Sequence, residues 1–163
     1  MNYLKITKDD LLNGEGVRVT LWVSGCNHHC KNCHNPETWD DKEGQLFAHK
    51  AIQEISNELL NPYVAGLTLT GGDPLYPKNR ETIGDLIKEV KRRFPNKNIW
   101  LWTGYKWNEI KDLTFIKYID VLIDGEFIQD LYSPNLMWRG SSNQNVINVK
   151  KSLEQNKIVL YCK

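Results

Sequence analysis

An α/β fold is predicted, a small open βα barrel built on a mainly parallel sheet. Strand-like segments alternate with amphipathic helical ones from residue 17 to residue 124, the pattern of successive βα units. The strand-like segments run into glycines, so informative residues gather past the strand ends, where such sheets bind ligands. With 163 residues and four strong strands, the chain is too short for a closed eight-stranded barrel of about 250 residues. One domain over residues 1–163 is expected.

Residues 17–24, Val-Arg-Val-Thr-Leu-Trp-Val-Ser, are rich in β-branched and aromatic side chains and stop at Gly25, as a strand does. A cysteine-bearing loop follows directly. Residues 48–60 place Ile52, Ile55, Leu59 and Leu60 at helical spacing, and Asn61-Pro62 closes that helix. Residues 66–70 form a short strand that enters Gly71-Gly72-Asp73-Pro74, where Pro74 forces a tight loop. Residues 81–94 carry Ile83, Leu86, Ile87 and Val90 on one helical face and end at Pro95. Lys88, Lys91, Arg92 and Arg93 fall at the end of that helix, where cations complement the dipole.

Residues 99–103 are the next strand, closed by Gly104; one of its rings, Trp100 or Trp102, is expected in the core and the other toward a helix or the rim. Residues 107–118 read as a helix or a broken helix, and residues 121–124 as a fourth strand ending at Gly125. Gly140-Ser-Ser-Asn143 is a loop, and residues 146–149 and 158–161 are two short strands.

Net charge is +1, from 21 basic and 20 acidic side chains, which gives no general attraction to nucleic acid or anionic membrane. No apolar run approaches the ~20 residues of a membrane span. Residues 1–10 mix Lys, Asp and Asn with Leu and Ile and do not form a signal peptide, so a cytoplasmic location is expected. Three of the four cysteines fall between residues 26 and 33, and in a reducing compartment such a cluster points to metal rather than to disulfides. Cys162 stands apart as a free thiol.

Cys26-x3-Cys30-x2-Cys33 offers three thiolates from one loop. On a four-iron cluster, which normally takes four cysteines, they leave one iron open for substrate chemistry. Spacing alone leaves three other readings open. One is a zinc site completed by His28, His29 or His34; a second is a redox-active Cys30-Lys-Asn-Cys33 pair; a third is a buried group of structural thiols.

The x3-then-x2 spacing directly after a strand resembles the signature of the radical S-adenosylmethionine superfamily. Asn32 stands where that superfamily commonly has an aromatic residue. Gly71-Gly72-Asp73-Pro74 resembles its Gly-Gly-Glu-Pro-like loop, whose backbone and acid hold the cofactor's amino group. Nearly the whole chain is similar to one branch, the activases that serve anaerobic ribonucleoside-triphosphate reductase. The similarity is carried by Asn13-Gly-Glu-Gly16, Leu67-Thr-Leu-Thr-Gly-Gly-Asp-Pro-Leu75, Trp100-Leu-Trp-Thr-Gly-Tyr105, Asp120-Val-Leu-Ile-Asp-Gly125 and Trp138-Arg-Gly-Ser-Ser-Asn-Gln144.

That resemblance implies a partial barrel of the radical S-adenosylmethionine type and an oxidoreductase with one [4Fe–4S] cluster per chain. It implies reductive cleavage of S-adenosyl-L-methionine to a 5′-deoxyadenosyl radical and formation of a glycyl radical on the large reductase subunit. A flavodoxin-like donor supplies the electron, the assembly is a dimer or a heterotetramer with the reductase, and deoxyribonucleotide synthesis follows. Cys26, Cys30 and Cys33 are the expected ligands and the catalytic centre. Asn32, Cys33, His34, Gly71, Gly72 and Asp73 are the expected cofactor contacts. His28 and His29 are read as loop surface; Thr103, Tyr105 and Asp124 as turn caps, with a ribose or glycine-loop contact as the alternative; Arg139 as a surface ion pair or a holder of a carboxylate or the substrate loop. Two rival functions stay in view: a radical enzyme for another glycyl-radical protein or a small molecule, and a zinc-stabilised binding module.

Overall fold

The computed structural model describes residues 1–162. Seven strands form one sheet: β1 (Asn2–Asp10), β2 (Val17–Val23), β3 (Gln45–Leu46), β4 (Val64–Gly71), β5 (Asn98–Trp102), β6 (Val121–Asp124) and β7 (Asn145–Asn148). Their spatial order is β3-β1-β2-β4-β5-β6-β7. The pairs β2–β4, β4–β5 and β5–β6 are parallel, and antiparallel strands finish both edges. The expected parallel sheet is thus the centre of a wider open one.

Helices α1 (His49–Leu59), α2 (Arg80–Arg93) and α3 (Trp107–Ile110) follow β3, β4 and β5, and α4 (Val149–Gln155) follows β7. Ala51, Ile55 and Leu59 of α1 and Ile83, Leu86, Ile87 and Val90 of α2 pack with the alternate strand residues Val19, Leu21, Val23, Leu67, Leu69, Ile99 and Leu101. Period-2 alternation against period-3.6 stripes produces this helix-covered core. Residues 107–118 are broken as expected, into α3 and a 3-10 turn at Ile116–Tyr118. The basic end of α2 is tied down by the contact of Lys91 Nζ with Asp120 Oδ2 (2.7 Å) and by Arg93 Nη1 donating to Ser56 Oγ of α1 (3.0 Å).

The opposite face has no such helical cover. It is polar along β2 and β4, with Arg18, Thr20 and Thr68 buried, and apolar toward β7, where Trp100, Val121, Ile123 and Val146 cluster. Trp100 and Trp102 both lie on this face, stacked with centroids 5.9 Å apart. The expectation that their rings diverge is corrected: positions i and i+2 of a strand share a face. β1 and α4 are absent from the sequence reading because Lys and Asp dilute the first and the second is only seven residues long. Residues 158–161 supply a single bridge, Leu160 to Ile147, instead of a strand.

Candidate functional site

The carboxyl ends of the four parallel strands make one rim, the usual place for ligands in such a sheet. From β2 the chain enters the cysteine loop, whose base is stitched down by backbone bonds: Gly25 N to Thr38 O (2.7 Å), Cys26 N to Trp39 O (3.1 Å) and Asp73 N to Gly25 O (2.9 Å). Gly72 sits beneath this base. A Cβ there would fall 2.6 Å from Gly25 O, so only glycine lets the two loops touch. The loop itself turns through left-handed His29 (φ 49°) and Asn32 (φ 57°).

Cys26, Cys30 and Cys33 are half-buried free thiols. Burial pushes the Cys26 thiol up to about 11 and raises that of Cys30. A redox-active CxxC pair needs the opposite, a thiol lowered toward neutrality. Among the described residues no three His, Cys, Asp or Glu side chains converge as ligands of a single metal ion. A four-iron cluster takes one thiolate per iron and spreads its ligands over separate corners. Three soft donors on one loop, two of them (Cys30 and Cys33) lining an open volume, fit a cluster.

That volume is a cavity of about 500 Å³, lined by Cys30, Cys33 and His34 of the cysteine loop and by Phe127, Tyr132 and Trp138. Thr70 and Trp102 also line it, so it lies against the helix-free face of the sheet. Trp102 Nε1 donates to Trp138 O (2.9 Å), and His34 and Phe127 face each other at 5.7 Å between centroids. Arg139 lines the cavity and donates from Nη1 to Gln144 O (2.7 Å), so it does not form the surface ion pair that is one of its two expected roles.

Of the residues expected to hold the cofactor, the cavity collects Cys33 and His34; Gly71 and Gly72 lie under the loop base, and Asn32 is exposed. Asp73 departs furthest from expectation. Its carboxylate is 1% exposed and accepts from Leu75 N (2.7 Å), Thr103 Oγ1 (2.9 Å), Gly104 N (3.0 Å) and His28 Nε2 (2.8 Å). The free acid that the sequence suggests for an ammonium is therefore engaged within the protein.

His28 is corrected as well. Its side chain is 9% exposed, with Nε2 on Asp73 and Nδ1 on Glu126 Oε1 (3.0 Å), while His29 stays exposed against Trp39. The bond to Asp73 raises the His28 pKa against the opposing effect of burial. No spacing rule marks His28, because its partners come from three other loops. Thr103 and Asp124 act as caps as expected: Thr103 Oγ1 accepts from Tyr105 N (3.2 Å) and Asp124 from Trp107 N (2.9 Å) and Asn145 N (3.1 Å). The aromatic wall of Phe127, Tyr132 and Trp138 also escaped the sequence reading, although Trp138 lies in one of the resembling segments.

A family described as the 4Fe-4S single cluster domain matches residues 12–147. A protein of Enterobacteria phage T4 is 52% identical over 146 residues, covering 90% of this chain and 93% of its own length. One from Haemophilus influenzae is 49% identical over 92% of this chain and 99% of its own, and one from Escherichia coli K12 is 43% identical over 92% and 100%. Each of the three is named anaerobic ribonucleoside-triphosphate reductase-activating protein. At such identity over nearly complete lengths, the chain belongs to the family of anaerobic ribonucleoside-triphosphate reductase-activating proteins, with a 4Fe-4S single cluster domain at its centre.

Proposed function

We propose that this chain is an iron–sulfur activase that generates the glycyl radical of anaerobic ribonucleoside-triphosphate reductase. The observation that carries the reading is the placement of the Cys26-x3-Cys30-x2-Cys33 loop on the rim, with Cys30 and Cys33 opening onto a 500 Å³ cavity. A bound [4Fe–4S] cluster would supply the one electron that converts S-adenosyl-L-methionine to methionine and a 5′-deoxyadenosyl radical, which would take a hydrogen atom from a glycine of the reductase.

The residues of the chain bind, orient and shield. Cys26, Cys30 and Cys33 would hold the cluster and, being three, would leave one iron for the cofactor. Asn32, Cys33, His34, Gly71, Gly72 and the Asp73 backbone form the cofactor cradle. Phe127, Tyr132 and Trp138 wall the cavity with aromatic surface that keeps water from a radical. The open helix-free side admits a protein segment, so the substrate is the glycine loop of the large subunit. In this reading the sheet is a partial barrel of the radical S-adenosylmethionine type, residues 1–163 are one domain, and the protein works in the cytoplasm with a flavodoxin-like donor. It assembles as a dimer or as a heterotetramer with the reductase. Among the described residues no helix is long and apolar enough to cross a membrane.

Anaerobic reconstitution tests the reading directly. The expected result is a brown protein with four irons and four sulfides per chain. It forms 5′-deoxyadenosine under reduction and, with the reductase, an electron-paramagnetic glycyl signal. Stoichiometric zinc without colour would return the chain to a binding module; 5′-deoxyadenosine without a glycyl signal on a competent reductase would shift it to another radical substrate.

A further inference from the structure

Resting on the cluster assignment above, we infer that Asp73 and His28 are positioning residues: His28 is a peg from the cysteine loop, and Asp73 is the socket that fixes it.

A carboxylate has about four lone-pair positions. Those of Asp73 meet four donors, Leu75 N, Thr103 Oγ1, Gly104 N and His28 Nε2, at 2.7–3.0 Å. All four are thus met from within the protein. Three of these donors come from its own turn and the end of β5, and they hold the carboxylate still. The fourth belongs to the loop that carries the thiols.

His28 lies midway between Cys26 and Cys30 in sequence, so where its ring is pinned bears on how far apart those two sulfurs can stand. The ring is enclosed on every side that the rim supplies. Tyr105 meets it edge-on at 4.7 Å, Glu126 takes Nδ1, and Gly104 lies so close that a Cβ would fall 2.4 Å from His28 Cδ2. Tyr105 Oη also donates to Asn27 Oδ1 (3.2 Å), a second tie on the same stretch. The residues that follow, His29 and Asn32, sit in left-handed conformations that cost free energy and persist only where the surroundings hold them. Groups that orient metal ligands without touching the metal commonly matter almost as much as the ligands.

The test compares wild type, Asp73→Asn, His28→Asn and the double variant. Hydrogen exchange over residues 26–34 is read on the metal-free chains; iron and sulfide retained, cluster midpoint potential, and KM and kcat for S-adenosylmethionine cleavage are read after reconstitution. Each single variant should speed exchange in the loop, shift the potential, and lower cluster retention or kcat by about 10–100-fold with KM unchanged. The double variant should fall short of the product of the two single effects, since one bond, His28 to Asp73, is common to both changes. Gly104→Ala, which displaces the ring and leaves both charged groups, should copy the effect even if Asp73→Asn does not fold.

A rise in KM of about 10–100-fold in Asp73→Asn, the cost of one charge-assisted hydrogen bond, with loop exchange and cluster content unaltered would make Asp73 a direct cofactor contact and overturn the inference. Multiplying effects in the double variant would overturn it too. A wild-type chain that takes up no cluster would instead remove the proposed function, and the exchange data on metal-free chains would still decide whether the peg holds the loop.

Discussion

Two buried charges stand at opposite ends of the parallel strands, and they are satisfied in the same way for different ends. Arg18 is fully buried near the amino ends of the parallel strands. Its five N–H groups meet Thr68 Oγ1 (2.6 Å), Glu15 O (2.9 Å), Asn98 Oδ1 (2.7 Å), Leu67 O (2.9 Å) and Asn98 O (3.4 Å), and its guanidinium lies 5.3 Å from the Trp100 ring centre. Burial lowers its pKa to about 10, so it stays charged at neutral pH. Asp73 is just as completely bonded at the carboxyl ends. Every partner of Arg18 belongs to the sheet or to the turn entering it, whereas one partner of Asp73 is on the cysteine loop. One saturated charge closes the scaffold; the other joins the scaffold to the part that does chemistry.

The comparison breaks most visibly if the two ends fail to separate function from stability. Cys30→Ala should abolish cluster retention and 5′-deoxyadenosine formation, while the urea midpoint of the metal-free chain moves by less than about 1 kcal/mol, since a half-buried loop side chain holds little of the fold. Arg18→Met should do the reverse. The carbonyls of Glu15, Leu67 and Asn98 lose their donor inside the protein, at about 1–3 kcal/mol for each one left unsatisfied, so a total of about 3 kcal/mol or more is expected in urea unfolding. The fraction that remains folded should still take up a cluster. Loss of cluster uptake in folded Arg18→Met would show that the two ends are coupled through β2, which begins at Arg18's end and leads into the cysteine loop.

The sheet was legible in the sequence because its central strands announce themselves twice, by β-branched and aromatic alternation and by a glycine at the exit. The thiols were legible because three of them share one loop at a specific spacing. Arg18 was not: a lone arginine in a strand reads as a solvent-facing residue, and its acceptors come from positions 50 and 80 residues away. The role of His28 was hidden for the same reason, its partners lying 45 and 98 residues along the chain. Local pattern reports what a residue does to its neighbours in sequence; saturation of a buried charge is a property of the folded contacts alone.

Gln144 sharpens the contrast, since it serves neither charge yet holds the cavity wall. Its Oε1 accepts from Gly140 N (2.9 Å) and Ser141 N (3.1 Å), and its Nε2 donates to Gly125 O (2.9 Å), so one buried amide ties residues 140–141 to the exit of β6. Gln144→Leu keeps the volume and removes these three bonds and a longer one from Ser141 Oγ (3.4 Å). A loss of about 1–3 kcal/mol is expected, with faster hydrogen exchange across residues 138–144. A smaller rise is expected at residues 26–34, which meet the wall through His28 on Glu126 and His34 against Phe127.

The smallest effect belongs to Asp10, which extends the Arg18 network through Asn13 and Thr68. Asp10 accepts from Leu12 N (2.8 Å), Asn13 N (3.2 Å) and Asn13 Nδ2 (2.7 Å); Thr68 Oγ1 donates to Asn13 O (2.7 Å) and accepts from Arg18. Burial pushes the Asp10 carboxyl upward, but these hydrogen bonds prevail and hold it below its ordinary 3.8. A carboxylate lowered by folding adds stability that is fully present above its unfolded value and fades as pH falls through its folded value. Asp10→Asn should therefore cost about 1 kcal/mol at pH 7, with the same gap at pH 5 and a shrinking one below about pH 3.8, read as paired urea midpoints. A gap that widens on acidification would mean that burial outweighs the hydrogen bonds. Asp10 would then be a strained charge at the edge of the Arg18 network, and the scaffold end would no longer be the fully satisfied one.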